Sequence, residues 1–316
     1  MSEAEPFSVF MARALRDYYG RNIRTVGARG DFSTSATLSP LLGQSIAAWL
    51  LEESRLQPSI RHLIEVGPGD GSLTAQVRRS LGWWRRRRFQ FHLVETSPVL
   101  RARQEARLGR FVRWHEDMAS ALSMAEGSAL IYHNELLDAF PVTLIQRHAD
   151  QWHEVYVNGG REELRPLLLD GTGFSTLGAW QPPPNQRCEL QAAVRQWLAE
   201  WTPLWRAGAM LTIDYGDLFP ALYHRRPAGT LRAYLLQQRL EGSAIYNNPG
   251  RQDLTADVNF TDYRAWLQAF GCEESGYGTQ AEFIQARSRT ADAEFIVNPD
   301  GAGQAFKYVI HRRLRK

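Results

Sequence analysis

Lysine is nearly absent from this chain. Lys307 and Lys316 are the only two, and the other basic residues are arginine, which leaves few candidates for a lysine nucleophile. Cysteine is scarce as well. Cys188 and Cys272 stand 84 positions apart (272 − 188), which gives neither a disulfide framework nor a zinc knuckle. None of the eight histidines falls in a metal-binding spacing, so no metal is expected. No apolar run is long enough to span a bilayer. The opening MSEAEPFSVF has no basic start before an apolar stretch and is acidic, unlike a mitochondrial presequence. A cytoplasmic protein without a membrane span is the expectation. Net charge is small too, at +3.

What is present is a chain of 316 residues, 44% hydrophobic, enough for one large α/β domain with an insertion or for two domains. Its organising stretch is Leu63 to Leu73. Leu63-Ile64-Glu65-Val66 reads as the end of a buried strand, and glycines at 67, 69 and 71 break it. Leu73, Val77 and Leu81 then recur at helical spacing over 72–81. Strand, glycine turn and helix open a nucleotide-binding α/β unit, because glycine lets the backbone turn sharply and lets a ligand lie against it. A dinucleotide site wants G-x-G-x-x-G, and Ser72 stands where its third glycine would be. Glu65 and Asp70 would repel a pyrophosphate but suit a ligand with an ammonium group. The stretch therefore favours S-adenosylmethionine (SAM) over NAD.

Ahead of this turn, residues 7–20 place Phe7, Phe10, Met11, Ala14, Leu15 and Tyr18 on one helical face, and 39–52 form a second helix with Ser39 as N-cap. Between them lies a glycine- and hydroxyl-rich loop, Gly30 to Ser35, whose Thr34 and Ser35 can offer hydroxyls to the cofactor's amino-acid end. After it, Trp83-Trp84 and Arg85 to Arg88 read as a solvated connector, since one short basic run is not a nucleic-acid patch. Phe89 to Glu95 is the second strand, and an acid at its tip, 24 positions past Gly71 (95 − 71), can accept both ribose hydroxyls. Phe111 to Trp114 is a third strand, followed by Asp117-Met118. Asp117 suits either an adenine amino group or a helix N-cap. The fourth strand, 128–133, runs into Asn134-Glu135-Leu136-Leu137-Asp138. A hairpin around His148-Ala149-Asp150 and a loop-rich stretch make 142–186 an insertion covering the sheet's carboxyl edge. Residues 229–234 and 253–262 read as loop and helix starts, and Phe306 to His311 as the last strand.

With these pieces in order, the chain resembles the MidA-like family of class I SAM-dependent methyltransferases, which includes a mitochondrial arginine methyltransferase that assists respiratory complex I assembly. The resemblance rests on Gly30 to Ser35, Glu65 to Gly71, Leu93 to Glu95 with Ser97-Pro98, Asn134 to Pro141, Ile213 to Gly216, Gly229 to Tyr234 and Asp253 to Val258. It departs from the family at Ala36-Thr37, at Asn259 and at Gln237 or Gln238. It implies a seven-stranded Rossmann-like sheet with an N-terminal helical cap (1–58), a SAM-binding half (59–141), an insertion that covers the substrate (142–186) and the remaining core (187–316). It further implies SAM as cofactor, S-adenosylhomocysteine as product and a protein substrate modified on arginine.

The cofactor shell expected from these readings is Thr34, Ser35, Glu65, Gly67, Gly69, Gly71, Glu95, Asp117, Met118 and Asn134. Glu135 and Asp138 are the catalytic candidates. An arginine acceptor arrives charged and weakly nucleophilic, so carboxylates must hold it and take its proton. Other readings are a small-molecule methyltransferase, an NAD-linked oxidoreductase and a non-catalytic SAM-binding assembly factor.

Overall fold

The computed structural model describes residues 3–22, 39–168, 173–236, 238–288 and 302–314. The chain forms two compact units, one of residues 24–136, 198–215 and 267–316, the other of 1–23, 137–197 and 216–266.

The first unit is built on a mixed sheet. Its strands lie in the order Glu273–Thr279, Phe306–Arg313, Gly208–Asp217, Ala129–Asn134, His62–Val66, Gln90–Val94, Val112–His115. The five strands from 208–217 to 112–115 run parallel; Phe306–Arg313 is antiparallel to both of its neighbours, so the edge strand Glu273–Thr279 runs in the direction of the five. His62–Val66 is the switch point. The chain builds outward from it through 90–94 and 112–115, then returns to place 129–134 on its other side. Doubly wound sheets bind ligands outside the carboxyl ends of the strands at such a point. Parallel strands are covered on both faces, which explains why Leu63, Ile64, Leu93, Leu130 and Ile131 are all buried. The helix Leu41–Leu56 adds Leu42, Ile46, Trp49 and Leu50 to the same core, and Ser72–Arg86 adds Leu73, Val77 and Leu81. Gly82, at φ 72°, breaks that second helix, so Trp83 and Trp84 lie exposed beyond it.

The second unit carries an antiparallel sheet of Glu5–Pro6, Gln151–Asn158, Thr143–His148 and Arg187–Leu190, with Arg161–Pro166 beside 151–158. The hairpin forms as expected. Ala149 and Asp150 both have positive φ, the two-residue turn that matches strand twist. A three-stranded sheet of Arg232–Leu235, Gln238–Leu240 and Asp253–Thr255 completes the unit.

Several expectations are corrected. Residues 1–58 are not one cap: the apolar face of Phe7–Asp17 packs with Val142, Leu144, Val155, Val157, Ala233 and Leu254 of the second unit, whereas Leu41–Leu56 serves the first. The stretch 158–186 holds a further strand; 229–231 are loop and a helix starts at Phe260, as expected, but 232–234 and 253–255 also form paired strands that the reading did not include. The second unit is thus larger than an insertion of 142–186. At the end of Gly208–Asp217, Gly216 and Asp217 pair with Val258–Asn259, which makes eight hydrogen-bonded strands, one more than the seven implied.

Candidate active site

The glycine turn is built by its own residues. Gly71 is the N-cap of the following helix at φ 79°, and Asp70 accepts from Ser72 N at 3.0 Å while pairing with Arg107 at 2.8 Å. Gly67 and Gly69 also have positive φ. A Cβ on Gly67 would lie 2.7 Å from Leu136 Cδ1, whereas one on Gly69 would meet nothing within 4 Å. The Gly69 side of the turn is therefore open, as a cradle for a ligand must be.

Glu95, at the tip of the second parallel strand, is 9% exposed. Its Oε1 accepts from Ser97 N at 2.7 Å and its Oε2 from Gln104 Nε2 at 2.9 Å. Burial raises its pKa, and the Ser97 N–H and the Gln104 amide oppose the rise. Gln104, wholly buried, also donates to Gly69 O at 2.7 Å and accepts from Trp114 Nε1 at 3.0 Å. It ties the glycine turn to the acid of the next strand. No sequence signal singles it out, because a glutamine within Pro98–Leu108 looks like any helical polar residue.

Glu65 behaves differently from expectation. Its Oε2 accepts from Thr74 Oγ1 and from Tyr132 Oη, the latter at 3.0 Å, so the carboxyl is bound to protein hydroxyls and not presented to an ammonium group. Burial raises its pKa to about 7. Glu65 braces strand 62–66 against strand 129–134 and the start of the glycine-turn helix. Asp117 takes the capping alternative: it is the N-cap of Met118–Met124 and accepts from Ser120 N at 2.7 Å. Met118 is buried behind it.

On the other side of the switch point, Asn134 ends its strand and donates through Nδ2 to Glu135 Oε1 at 2.9 Å. Glu135 has φ 53°, a left-handed conformation costly for a residue with a side chain. It is held there by its N–H on Ile213 O at 3.0 Å and by Asp214, whose Oδ2 accepts from Leu136 N at 3.1 Å. Asp214 is fully buried and acts as a positioning residue; sequence reading named it only within Ile213 to Gly216, with no role. Strain of this kind is stored at functional sites.

The first unit therefore gathers Glu65, the three glycines, Glu95, Asp117, Met118, Asn134 and Glu135. Asp138 falls in the second unit, since the chain passes from one to the other after Leu136, so Glu135 and Asp138 do not make a single-unit pair. Asp138 is 6% exposed, and its pKa is raised to about 6 by burial, with Arg232 opposing and Asp257 adding to the rise. Thr34 and Ser35 lie outside the described residues.

Comparisons with known proteins identify the family and the fold. The sequence profile of a family described as S-adenosyl-L-methionine-dependent methyltransferases matches residues 45–278. The mitochondrial protein arginine methyltransferase NDUFAF7 of Xenopus laevis is 26% identical over 368 residues, covering 96% of this chain and 80% of that protein. The Caenorhabditis elegans homolog of that name is 28% identical over 297 residues, 81% of this chain and 66% of its own length. A Burkholderia thailandensis protein solved with S-adenosyl-homocysteine bound has a TM-score of 0.85 at 25% identity, covering 98% of this chain and 88% of that one. These likenesses show an α/β methyltransferase fold with a mixed sheet and helices. They also overturn the cytoplasmic expectation, because these relatives are named as mitochondrial proteins. The start of the chain as read carries no information on compartment. Among the described residues no helix is long and apolar enough to cross a membrane.

Proposed function

The chain belongs to the MidA-like family of S-adenosyl-L-methionine-dependent methyltransferases, and we propose that it methylates arginine side chains of a protein substrate. The observation that carries this reading is Glu135, a carboxylate held at left-handed φ at the carboxyl end of a strand beside the glycine turn. The relatives named as protein arginine methyltransferases support the acceptor class.

The residues fit the cofactor. The open side of Gly69 and the Glu95 carboxylate stand at the ends of neighbouring parallel strands, the places that take the amino-acid and ribose parts of a nucleoside ligand. When bound, SAM supplies an electrophilic sulfonium methyl. Gly67 to Gly71, Glu95 and Asn134 would hold it, with Asp117 and Met118 near its base. Glu65 would act at one remove, by fixing the turn. Glu135 would hold the acceptor guanidinium by charge-assisted hydrogen bonds, localising its charge away from the reacting nitrogen. That carboxylate would then accept the proton lost as the N–C bond forms. Holding donor and acceptor in line supplies much of the remaining acceleration. The second unit, of which 142–186 are a part, would recognise the substrate in this reading.

The test is incubation with methyl-labelled SAM and a cell lysate, with amino-acid analysis of the labelled band. Methylarginine in a discrete protein supports the proposal. Label confined to small molecules, or protein label on another residue type, removes it.

A further inference from the structure

The helix that follows the glycine turn ends away from the cofactor. Gly82 breaks it at φ 72°, and a Cβ there would meet nothing within 4 Å, so glycine serves the backbone turn alone. An unbroken helix would carry Trp84 onto the buried stripe of Val77 and Leu81. With the break, Trp83 and Trp84 stand 48% and 77% exposed, their ring centroids 4.4 Å apart and their planes at 80°. Phe111, just before the strand Val112–His115, is 71% exposed.

The chain around these rings is of one charge. From Gly71 to Val94 it carries Arg78, Arg79 and Arg85 to Arg88 and no acidic residue, and from Ala106 to His115 it adds Arg107, Arg110 and Arg113, again with none. Arg79, Arg85 to Arg88 and Arg110 make no ion pair among the described residues. Arg87 lies over the Trp83 ring at 4.1 Å, and Arg78 over the Phe111 ring at 4.7 Å. Burial, and then the charge of Arg86, lower the Arg78 pKa, so Phe111 and the basic run belong to one surface. Its place follows from the topology. Arg88 and Phe111 lead into strands 90–94 and 112–115, which lie side by side in parallel with Phe91 opposite Val112. This is the amino edge of the sheet, whereas the glycine turn and Glu95 follow their strands at the carboxyl edge. Glu126, near His62 and ahead of strand 129–134, also stands toward the amino edge and offsets only one of these charges.

We propose that Trp83, Trp84, Phe111 and the arginines around them form a docking surface for an anionic phospholipid bilayer. Guanidinium forks bind phosphate head groups, and indoles settle where head groups meet acyl chains, the apolar body inside and the N–H in the polar layer. Ring geometry favours a bilayer over single-stranded nucleic acid. Base stacking needs open, parallel ring faces. Here the two indoles stand at 80° to each other, Arg87 occupies a face of Trp83, and Arg78 occupies one of Phe111. A second copy of the chain on the same surface would set arginine against arginine. Docking by the amino edge leaves the glycine turn on the side away from the bilayer. The surface thus gives the enzyme a location, and it does not depend on which acceptor is methylated.

The experiment is co-sedimentation of the full chain with vesicles of phosphatidylcholine, alone or with about 30 mol% phosphatidylglycerol, at low and high salt. The wild type should partition onto the anionic vesicles at least about 10-fold more strongly than onto the neutral ones, and salt should weaken it. Trp83→Ala combined with Trp84→Ala should lower the partition by about 10-fold or more. Arg85→Gln combined with Arg88→Gln should lower it by about 10-fold. Arg225→Gln combined with Arg251→Gln removes the same charge from exposed positions of the second unit and should change it by less than about 2-fold. Brominated acyl chains should quench the tryptophan emission of the wild type, and that of the double tryptophan variant less. The substituted positions are exposed, so every variant should keep its fold and its S-adenosylhomocysteine affinity. No preference for anionic vesicles, an equal loss in the Arg225 and Arg251 variant, or an unchanged partition in the tryptophan variant would overturn the proposal. So would an RNA oligonucleotide or polyglutamate that binds through these residues while vesicles do not, which would mark a nucleic-acid or acidic-protein surface instead. Methyl transfer is read separately, so failure here leaves the proposed function standing.

Discussion

The side-chain amide of Gln104 donates to the Glu95 carboxylate at 2.9 Å, and the same nitrogen donates to the Gly69 carbonyl at 2.7 Å. One buried glutamine thus fixes the spacing between the glycine turn and Glu95, the two places proposed to take the cofactor's amino-acid end and its ribose. Gln104→Leu keeps the volume and removes both bonds. It should cost about 1–3 kcal/mol of stability, because the Glu95 carboxyl loses a donor in a buried place. S-adenosylhomocysteine affinity should fall by about 10-fold, a loss of about 1.4 kcal/mol. Calorimetry with that ligand checks it, and an unchanged affinity would remove Gln104 from the site.

Much of this arrangement was legible in the sequence, and what escaped has a common physical origin. The glycine turn, the acid at the second strand tip and the Asn134-Glu135 pair are local features, set by residues next to one another in the chain. Gln104, Thr74, Tyr132 and Asp214 act on partners 9 to 78 positions away, and nothing in the chain beside them names those partners. The same distinction explains Glu65. Its position before the turn was readable, but its direction depends on Thr74 and Tyr132, and they draw the carboxyl inward. Strand 273–279 was missed because Glu273-Glu274-Ser275-Gly276 is polar and glycine-bearing. It is an edge strand with one paired neighbour, so burial imposes little pattern on it. The helix Phe7–Asp17 was read correctly as amphipathic, but periodicity says that a face is buried and not against what.

The glycines of the turn should separate by substitution. Gly67 and Gly69 have similar φ, 64° and 56°, so alanine at either carries a similar backbone cost of about 1–2 kcal/mol. Gly67→Ala adds a Cβ at 2.7 Å from Leu136, and Gly69→Ala adds one in open space. Gly67→Ala should therefore melt lower than Gly69→Ala. Gly69→Ala should lose the larger share of S-adenosylhomocysteine affinity relative to its stability loss. Thermal melts and calorimetry on both proteins decide it. Equal melting points with full ligand affinity in Gly69→Ala would mean that the ligand does not lie there.

Glu65 gives a pH test with a definite sign. Its pKa is 4.5 in the reference state and about 7 when folded, raised by burial against the Thr74 and Tyr132 hydroxyls. Between those values the folded chain holds a proton that the unfolded chain has lost, so this group makes stability fall as pH rises from about 4.5 to about 7, with no further loss above. The ceiling on that loss is about 3 kcal/mol. Glu65→Gln stays neutral throughout and can still accept from both hydroxyls. Its stability relative to wild type should therefore rise on going from about pH 4 to about pH 8, by at most that amount. Urea denaturation at the two pH values measures it. A difference that is constant, or that falls, would show that the carboxyl is not held protonated.

Glu135 separates chemistry from binding. The residue occupies φ 53°, and its Oε1 accepts from Asn134 Nδ2 at 2.9 Å. Glu135→Gln keeps the size and the backbone demand and removes the charge. Glu135→Gly removes the side chain and relieves the strain, because glycine enters the left-handed region freely. If the carboxylate holds the acceptor guanidinium, turnover should fall by about 10²–10⁴-fold in both variants, with S-adenosylhomocysteine affinity little changed. Stability should move apart from activity. Glu135→Gly should be no less stable than Glu135→Gln, since what it loses in side-chain bonding it regains in backbone ease. A variant that becomes inactive without becoming less stable marks a residue kept in a costly conformation for its chemistry. Equal turnover in wild type and Glu135→Gln on the labelled protein would refute the role. Loss of cofactor binding in that variant would move Glu135 into the cofactor shell and leave the acceptor's carboxylate to be sought at Asp138.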